Sequence, residues 1–285
     1  MVNNKKILIL GAKGMLGRDL AQFFSDRDSI LWDKEELDIT DKEAVAVKIS
    51  ELNPSIIINS AAYTDVDGCE LNRKLATNVN GKAVGYLASA TRKIGAILVH
   101  YSTDYVFDGK NPDGYKEDDK PGQPVNFYGR SKLLGEKLLK ENCEMYYLIR
   151  TSWLFGRHGK NFVDTMLKLG RKEKKLRVVN DQRGKPTYSF DLAQKTRELI
   201  ESQKPCGIYH ITNTGETTWY DFAKEIFRQA GERDEVYNKV KVISCSSQEF
   251  SSPAKRPKYS TLINTKLPPG RLWQDALGGY LLDIK

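Results

Sequence analysis

Ile7-Leu-Ile-Leu10-Gly11-Ala-Lys-Gly14-Met-Leu-Gly17 is the stretch that decides the fold. Four apolar residues stopped by a glycine read as a short strand covered on both faces, as in a parallel sheet. A helical pattern over residues 14–25 follows at once. Strand, glycine turn and helix in that order make a phosphate-binding arrangement. The glycines let the chain turn tightly and let a pyrophosphate approach the backbone. The helix start then offers unpaired N–H groups and the positive end of its dipole. The spacing is G-x-x-G-x-x-G rather than G-x-G-x-x-G, so the surrounding strand and helix carry the reading. Gly11, Gly14 and Gly17 are therefore candidate dinucleotide-binding residues.

Asp33 ends the next strand pattern, where an acid would accept from an adenosine ribose hydroxyl and favour NAD. Read blandly, it is a loop carboxylate. Lys34 beside it would instead meet a 2′-phosphate and favour NADP, and Asp38-Ile39 is a second candidate for the adenine end.

The same rhythm continues outward. Strand patterns at 29–32, 56–59, 97–101 and 146–150 alternate with helical patterns at 41–52, 75–93 and 128–142. Thr40 is available to cap the first of these helices. Such alternation implies right-handed crossovers and a doubly wound parallel sheet, a Rossmann-type α/β fold. After Arg150 the rhythm loosens. Helices at 162–170, 190–202 and 219–230, the last capped by Thr217 or Thr218, and strands at 176–179 and 207–211 can still be drawn. The tail from Lys241, with prolines at 253, 257, 268 and 269, stays unassigned. The expected division is a nucleotide-binding domain over 1–150. Residues 151–285 form a smaller, mainly substrate-binding α/β part, some segments of which return to the sheet.

Composition narrows the function class. The chain has 285 residues, 40% hydrophobic and 29% charged, with a net charge of +8. Its charges are mixed, and acidic runs such as Glu117-Asp118-Asp119 interrupt the basic ones. Nucleic acid binding calls for a concentrated basic stripe. The nearest, from Arg171 to Arg177, reads as a solvated helix end. Cys69, Cys143, Cys206 and Cys245 have no paired spacing, which argues against disulfides and a zinc knuckle. Lys5-Lys6 precede only four apolar residues, unlike a signal peptide, and no stretch is long enough to span a bilayer. The expectation is a cytoplasmic protein with no membrane partner.

Tyr128 and Lys132 stand four apart on one helical face. An ammonium near a phenol stabilises the phenolate and brings its pKa toward neutrality, so the pair is a proton-relay candidate. Tyr220/Lys224 and Tyr237/Lys241 share the spacing. Only Tyr128 follows a strand end that carries a hydroxyl, Thr103, where ligands of parallel sheets bind. The other two tyrosines read as surface helix residues.

Gly11/Gly14/Gly17, Thr103 and Tyr128 with Lys132 together resemble the extended short-chain dehydrogenase/reductase superfamily. Ser-Thr-Asp-Tyr-Val-Phe-Asp-Gly (102–109), Tyr-Gly-Arg-Ser-Lys-Leu-Leu-Gly-Glu (128–136), Arg-Thr-Ser-Trp-Leu-Phe-Gly (150–156), Asp-Gln-Arg-Gly-Lys-Pro-Thr (181–187) and Arg256-Pro257 are similar to motifs of the dTDP-4-dehydrorhamnose reductase family. The resemblance implies reduction of a nucleotide-linked 4-keto sugar to dTDP-L-rhamnose with NADPH or NADH. It makes Tyr128 the proton donor, Lys132 the residue that lowers its pKa and holds the nicotinamide ribose, and Thr103 a hydrogen-bond partner of the carbonyl oxygen. Gly14, Met15, Leu16, Asp33, Asp38, Ile39, Ala62, Tyr63, Thr64 and Tyr101 match positions around the cofactor. Asp104 and Trp153 match substrate contacts, Arg183 and Arg256 are candidates for the substrate diphosphate, and Asn80 matches a structural asparagine. Tyr63 stands where some members carry histidine. Glutamates that bridge some members through magnesium find no match, so no metal is expected, and the chain is a monomer or homodimer.

Three other readings are weighed against this one. Sugar-nucleotide 4,6-dehydratases share Ser-Thr-Asp but follow it with glutamate, where this chain has Tyr105. Epimerases are disfavoured by the motifs at 128–136 and 150–156. A non-catalytic subunit resembling the regulatory subunit of methionine adenosyltransferase would bind cofactor without turnover; retention of Thr103, Tyr128 and Lys132 favours an enzyme.

Overall fold

The opening apolar run forms β1 (Ile7–Leu10), buried at every position, and the computed structural model describes residues 6–250 and 252–284 around it. β2 (Ser29–Trp32), β3 (Ile56–Asn59), β4 (Ile97–Thr103), β5 (Tyr146–Thr151) and the later strand Gly207–His210 join it in a six-stranded sheet. All its pairings are parallel. From one edge the order is Gly207–His210, β5, β4, β3, β1, β2. The chain winds outward from β1 to β2 and then restarts on the other side with β3. That reversal opens a crevice beyond the carboxyl ends of β1 and β3.

Helices cover both faces. They are α1 (Met15–Phe23), α2 (Lys42–Leu52), the short α3 (Val66–Leu71) and α4 (Arg73–Ala76), α5 (Ala83–Lys93) and α6 (Phe127–Asn142). They are followed by α7 (Phe162–Gly170), α8 (Ser189–Glu201), α9 (Trp219–Gly231) and α10 (Trp273–Asp283). Strand side chains alternate between the two faces. Ile7, Ile9 and Ile58 pack with Leu20 of α1 and Leu192 of α8. Leu8, Leu10 and Ile57 pack with Ile49 of α2, Leu87 of α5 and Leu139 of α6. A further core of Phe155, Val163, Phe222, Ile226, Trp273 and Tyr280 is built from the second half of the chain. The molecule is a Rossmann-type α/β fold with this second core beside it. The Gly207–His210 strand and α8 complete the first sheet layer, so a cut at residue 150 passes through a layer to which both sides contribute.

Local departures have local causes. One helix expected over 75–93 is instead α4, a π-helical turn over Thr77–Lys82, and α5. Asp41, not Thr40, caps α2: its carboxylate accepts from Glu43 N and Ala44 N at 3.0 Å, while the Thr40 hydroxyl donates to Asp38. Thr218 caps α9 through Asp221 N. Tyr237 is not a surface helix residue; it is buried, and its phenol oxygen accepts from Arg171 Nε at 2.9 Å. The basic segment is correspondingly paired, Arg171 to Asp234 and Arg177 to Glu249. The proline-broken tail holds a strand, Lys241–Cys245, parallel to Lys175–Val179, and then bridges Tyr115 through Leu262 and Arg183 through Tyr259. Among the described residues no helix is long and apolar enough to cross a membrane.

Candidate active site

The turn after β1 is tight because Gly11 takes φ +74°, and a Cβ there would fall 2.7 Å from Ala61 N. Gly17 is equally constrained, since its Cβ would sit 2.0 Å from the Gly11 carbonyl oxygen. The start of α1 therefore lies directly on the turn. Gly14 occupies the N-cap position without a side-chain hydrogen bond. The first-turn N–H groups of Met15, Leu16 and Gly17 have no side-chain cap. This is a cradle for an anion and fits a dinucleotide diphosphate. Leu16 is buried in the core, so its part is through the backbone.

Asp33 ties the end of β2 to this turn. Its Oδ2 accepts from Lys13 N at 2.9 Å and its Oδ1 from Lys34 N at 2.8 Å. Asp38 accepts from the Thr40 hydroxyl and N–H, which hold its carboxyl below the usual range. The Ile39 side chain belongs to the core. Beyond β3, Ala62, Tyr63 and Thr64 form a loop held by Asn80, which accepts from Tyr63 N and donates to Tyr63 O, both at 2.9 Å. The Asn80 amide also reaches Ser131 Oγ on α6, one residue before Lys132.

Beyond β4, Thr103 opens a 3-10 turn, Asp104–Val106, and accepts from Tyr105 N at 3.1 Å. Asn126 caps α6 through Gly129 N at 2.8 Å. A Cβ on Gly129 would lie 2.1 Å from the Tyr105 carbonyl oxygen, so only glycine lets α6 dock on the turn. This docking brings the Tyr128 phenol into the neighbourhood of Thr103 and Asp104. Burial, then the Asp104 charge, drive the phenol well above its ordinary pKa, and the nearby Thr103 hydroxyl opposes them. Lys132 is not among the groups that act on the Tyr128 phenol here. The Lys132 ammonium instead donates to the Tyr101 carbonyl at 2.6 Å. Burial brings Lys132 down to about 8, against the charge of Glu136 one turn along α6. The Tyr101 phenol points away to Thr196, leaving its carbonyl at the site.

Asp104 is buried as well, and burial pushes its carboxyl up to about 7. Its Oδ1 accepts from Thr103 Oγ1 at 2.8 Å; its Oδ2 is buried and has no hydrogen-bond partner among the described residues. Ser260 from the tail lies near enough to hold that pKa down somewhat, although its hydroxyl donates to the Arg183 carbonyl at 3.2 Å.

Trp153 lies two residues past Thr151, the register partner of Thr103. It adopts φ +47° and stacks on Trp219, 3.6 Å apart and 8° from parallel. The two arginines are engaged already. Arg183 is 3.5 Å from Glu216, and Arg256 grips both oxygens of Asp67 on α3 at 2.8 Å. The fold thus gathers Thr103, Asp104, Tyr128 and Lys132, stacks Trp153 on Trp219, and holds Arg183 and Arg256 on carboxylates. Asp67, Ser260 and Trp219 escaped the sequence reading. Of these only Trp219, a tryptophan opening a capped helix, gave any signal.

The RmlD substrate binding domain family matches residues 5–282. The chain is 39% identical over 282 residues to the spore coat polysaccharide biosynthesis protein SpsK of Bacillus subtilis (strain 168), covering 97% of this chain and 96% of that protein. It is 40% identical over 282 residues to a dTDP-4-dehydrorhamnose reductase of Streptomyces griseus, covering 95% and 91% of the two. Among solved structures, a dTDP-4-dehydrorhamnose reductase of Bacillus anthracis str. Ames in complex with NADP superposes with a TM-score of 0.92 at 40% identity, covering 98% of this chain and 99% of that one. Matched over nearly its full length in sequence and in fold, the chain belongs to the RmlD substrate binding domain family.

Proposed function

We propose that this chain reduces the 4-keto group of dTDP-4-dehydrorhamnose to dTDP-L-rhamnose, the last step of dTDP-rhamnose biosynthesis for cell-wall polysaccharide. NADPH is the donor, with NADH an admissible substitute. The enzyme works in the cytoplasm as a monomer or homodimer. The observation that carries the reading is that buried Thr103 and Lys132 and half-buried Tyr128 lie together at the carboxyl edge of the sheet, beside a helix start with no side-chain cap.

The backbone at Gly11, Gly14, Met15, Leu16 and Gly17 would hold the cofactor diphosphate. Asp33, Asp38 and Ile39 would border its adenosine end. Ala62, Tyr63, Thr64, Tyr101 and Lys132 would border the remainder. The bound nicotinamide supplies hydride for the ketone carbon. Tyr128, kept protonated by burial, gives its proton to the sugar oxygen. Thr103 stabilises the charge developing on that oxygen. Lys132, cationic below about pH 8, adds positive charge one turn away. Trp153 and Asp104 border the sugar, and Arg183 and Arg256 reach its diphosphate.

The test is NADPH oxidation with dTDP-6-deoxy-L-lyxo-4-hexulose and analysis of the product, with other nucleoside-diphosphate 4-keto-6-deoxy sugars and NADH in parallel. The expected product is dTDP-L-rhamnose. Tight NADPH binding with no turnover of any sugar would overturn the reading in favour of a regulatory subunit.

A further inference from the structure

A threonine hydroxyl has one proton to give and two lone pairs. Around Thr103 three neighbours compete for them. Tyr105 N, at 3.1 Å, takes one lone pair. Asp104 Oδ1 lies 2.8 Å away, and the Tyr128 phenol is the third.

Two arrangements follow from the proton on Asp104. With the carboxylate ionised, the Thr103 proton must go to Asp104. The remaining lone pair can then only accept from Tyr128, so the phenol proton faces Thr103 and no donor faces the ketone. With the carboxyl neutral, its own O–H fills that lone pair. Both lone pairs of Thr103 are then filled, so its own proton and the phenol proton are each free for the sugar oxygen.

We propose that Asp104 is a positioning residue whose proton sets the direction of the Thr103 hydroxyl, and that ketone reduction requires its neutral form. This rests on the reductase reading. No bond to Asp104 forms or breaks in the step; the proton that moves is the one that leaves Tyr128 for the sugar oxygen.

The surroundings favour the neutral form. Tyr128 faces Asp104 from α6, Ser260 from the tail, and Tyr105 lies on the same 3-10 turn. The charges beyond Tyr105, Arg256 and Asp67, are paired with each other. Cys69, near Tyr128, is a buried thiol pushed up to about 12 and so neutral. Hydroxyls rather than a cation meet the carboxyl, and among the described residues its Oδ2 has no hydrogen-bond partner, which is costly for a charge and tolerable for an acid.

The experiment is the pH profile of kcat for wild type, Asp104→Asn and Thr103→Val, with infrared difference spectra of the cofactor-free proteins. In wild type kcat should fall as pH rises through about 7, and the carbonyl band of a neutral carboxylic acid should disappear over the same range. Asp104→Asn, whatever its absolute rate, should lack that band and show its midpoint moved to about 8, where Lys132 titrates. Thr103→Val should retain the band and lose the limb near 7 from whatever rate remains. A kcat profile in Asp104→Asn that superimposes on wild type, with only KM altered, would assign Asp104 to substrate binding alone and overturn the proposal. So would the absence of the band at pH 6. A wild type that turns over no sugar speaks against the reductase reading, while the infrared titration still judges Asp104.

Discussion

At the scale of single residues, loss of solvent acts in opposite directions on half-buried Tyr128 and buried Lys132. Burial keeps the phenol protonated and therefore a donor, whereas it makes the ammonium of Lys132 easier to discharge. Tyr128→Phe removes the donor and little else, so kcat should fall by about 10²–10⁴-fold while the NADPH Kd in a titration stays at the wild-type value. Lys132→Met should raise that Kd and lower kcat, yet stabilise the fold. The folded pKa of about 8 lies below the ordinary lysine value of 10.5, so the folded state binds fewer protons and stability rises with pH across that interval. Below it the lysine costs up to about 3 kcal/mol, and methionine lifts that cost, which a Tm at pH 7 would register. Tyr128, Lys132 and Thr103 were legible in the chain because helical spacing and strand ends are local. The competition around Thr103 was not, since it depends on the burial of Asp104 and on a turn that folds Asp104 and Tyr105 back onto the Thr103 hydroxyl.

At the scale of elements, α6 carries the site at one end and a buried ion pair further along. Glu136 accepts from Arg150 Nε at 2.9 Å and Nη2 at 2.8 Å, and from Ser102 Oγ at 2.7 Å. This joins α6 to β5 and β4 behind Lys132. Burial pushes the Glu136 carboxyl up, but Arg150 and Ser102 outweigh it and hold it below the usual range. Its contribution to stability is therefore complete above the ordinary carboxylate pKa and lost as pH falls through the depressed one. Glu136→Gln leaves the Arg150 charge buried and should cost about 3–5 kcal/mol in denaturant unfolding at pH 7. It should also move the Lys132 limb of kcat below about pH 8, because Glu136 is the charge that holds that lysine up. The sheet strands and most long helices could be read from period and run length, with ends off by a residue or two. The pair between Glu136 and Arg150 could not, since a glutamate on an amphipathic helix and an arginine ending a strand both read as surface charges.

At the scale of the whole molecule, the segment least legible in the sequence is the one that closes over the site. Prolines in the tail erase the periodicity on which strand and helix readings depend, and its partners lie far away in the chain. Leu262 joins Val106, Phe107 and Tyr115, and Ala254 N donates to Asp67 at 3.0 Å. Arg256 completes the strap through Asp67, 189 positions earlier. That arginine is also the proposed diphosphate ligand, and the two roles make opposite demands. Both side chains keep substantial exposure, 24% for Arg256 and 37% for Asp67, so the ion pair is worth about 1 kcal/mol or less. A diphosphate offers the guanidinium more charge and the same forked geometry. Asp67→Asn keeps an oxygen for Ala254 N but weakens the hold on Arg256. If the arginine turns to the substrate, its release should tighten dTDP binding by up to about fivefold in calorimetry, the equivalent of about 1 kcal/mol. Arg256→Ala should weaken the same binding. A looser dTDP complex in Asp67→Asn would mean that the pair fastens the tail and that Arg256 never leaves it.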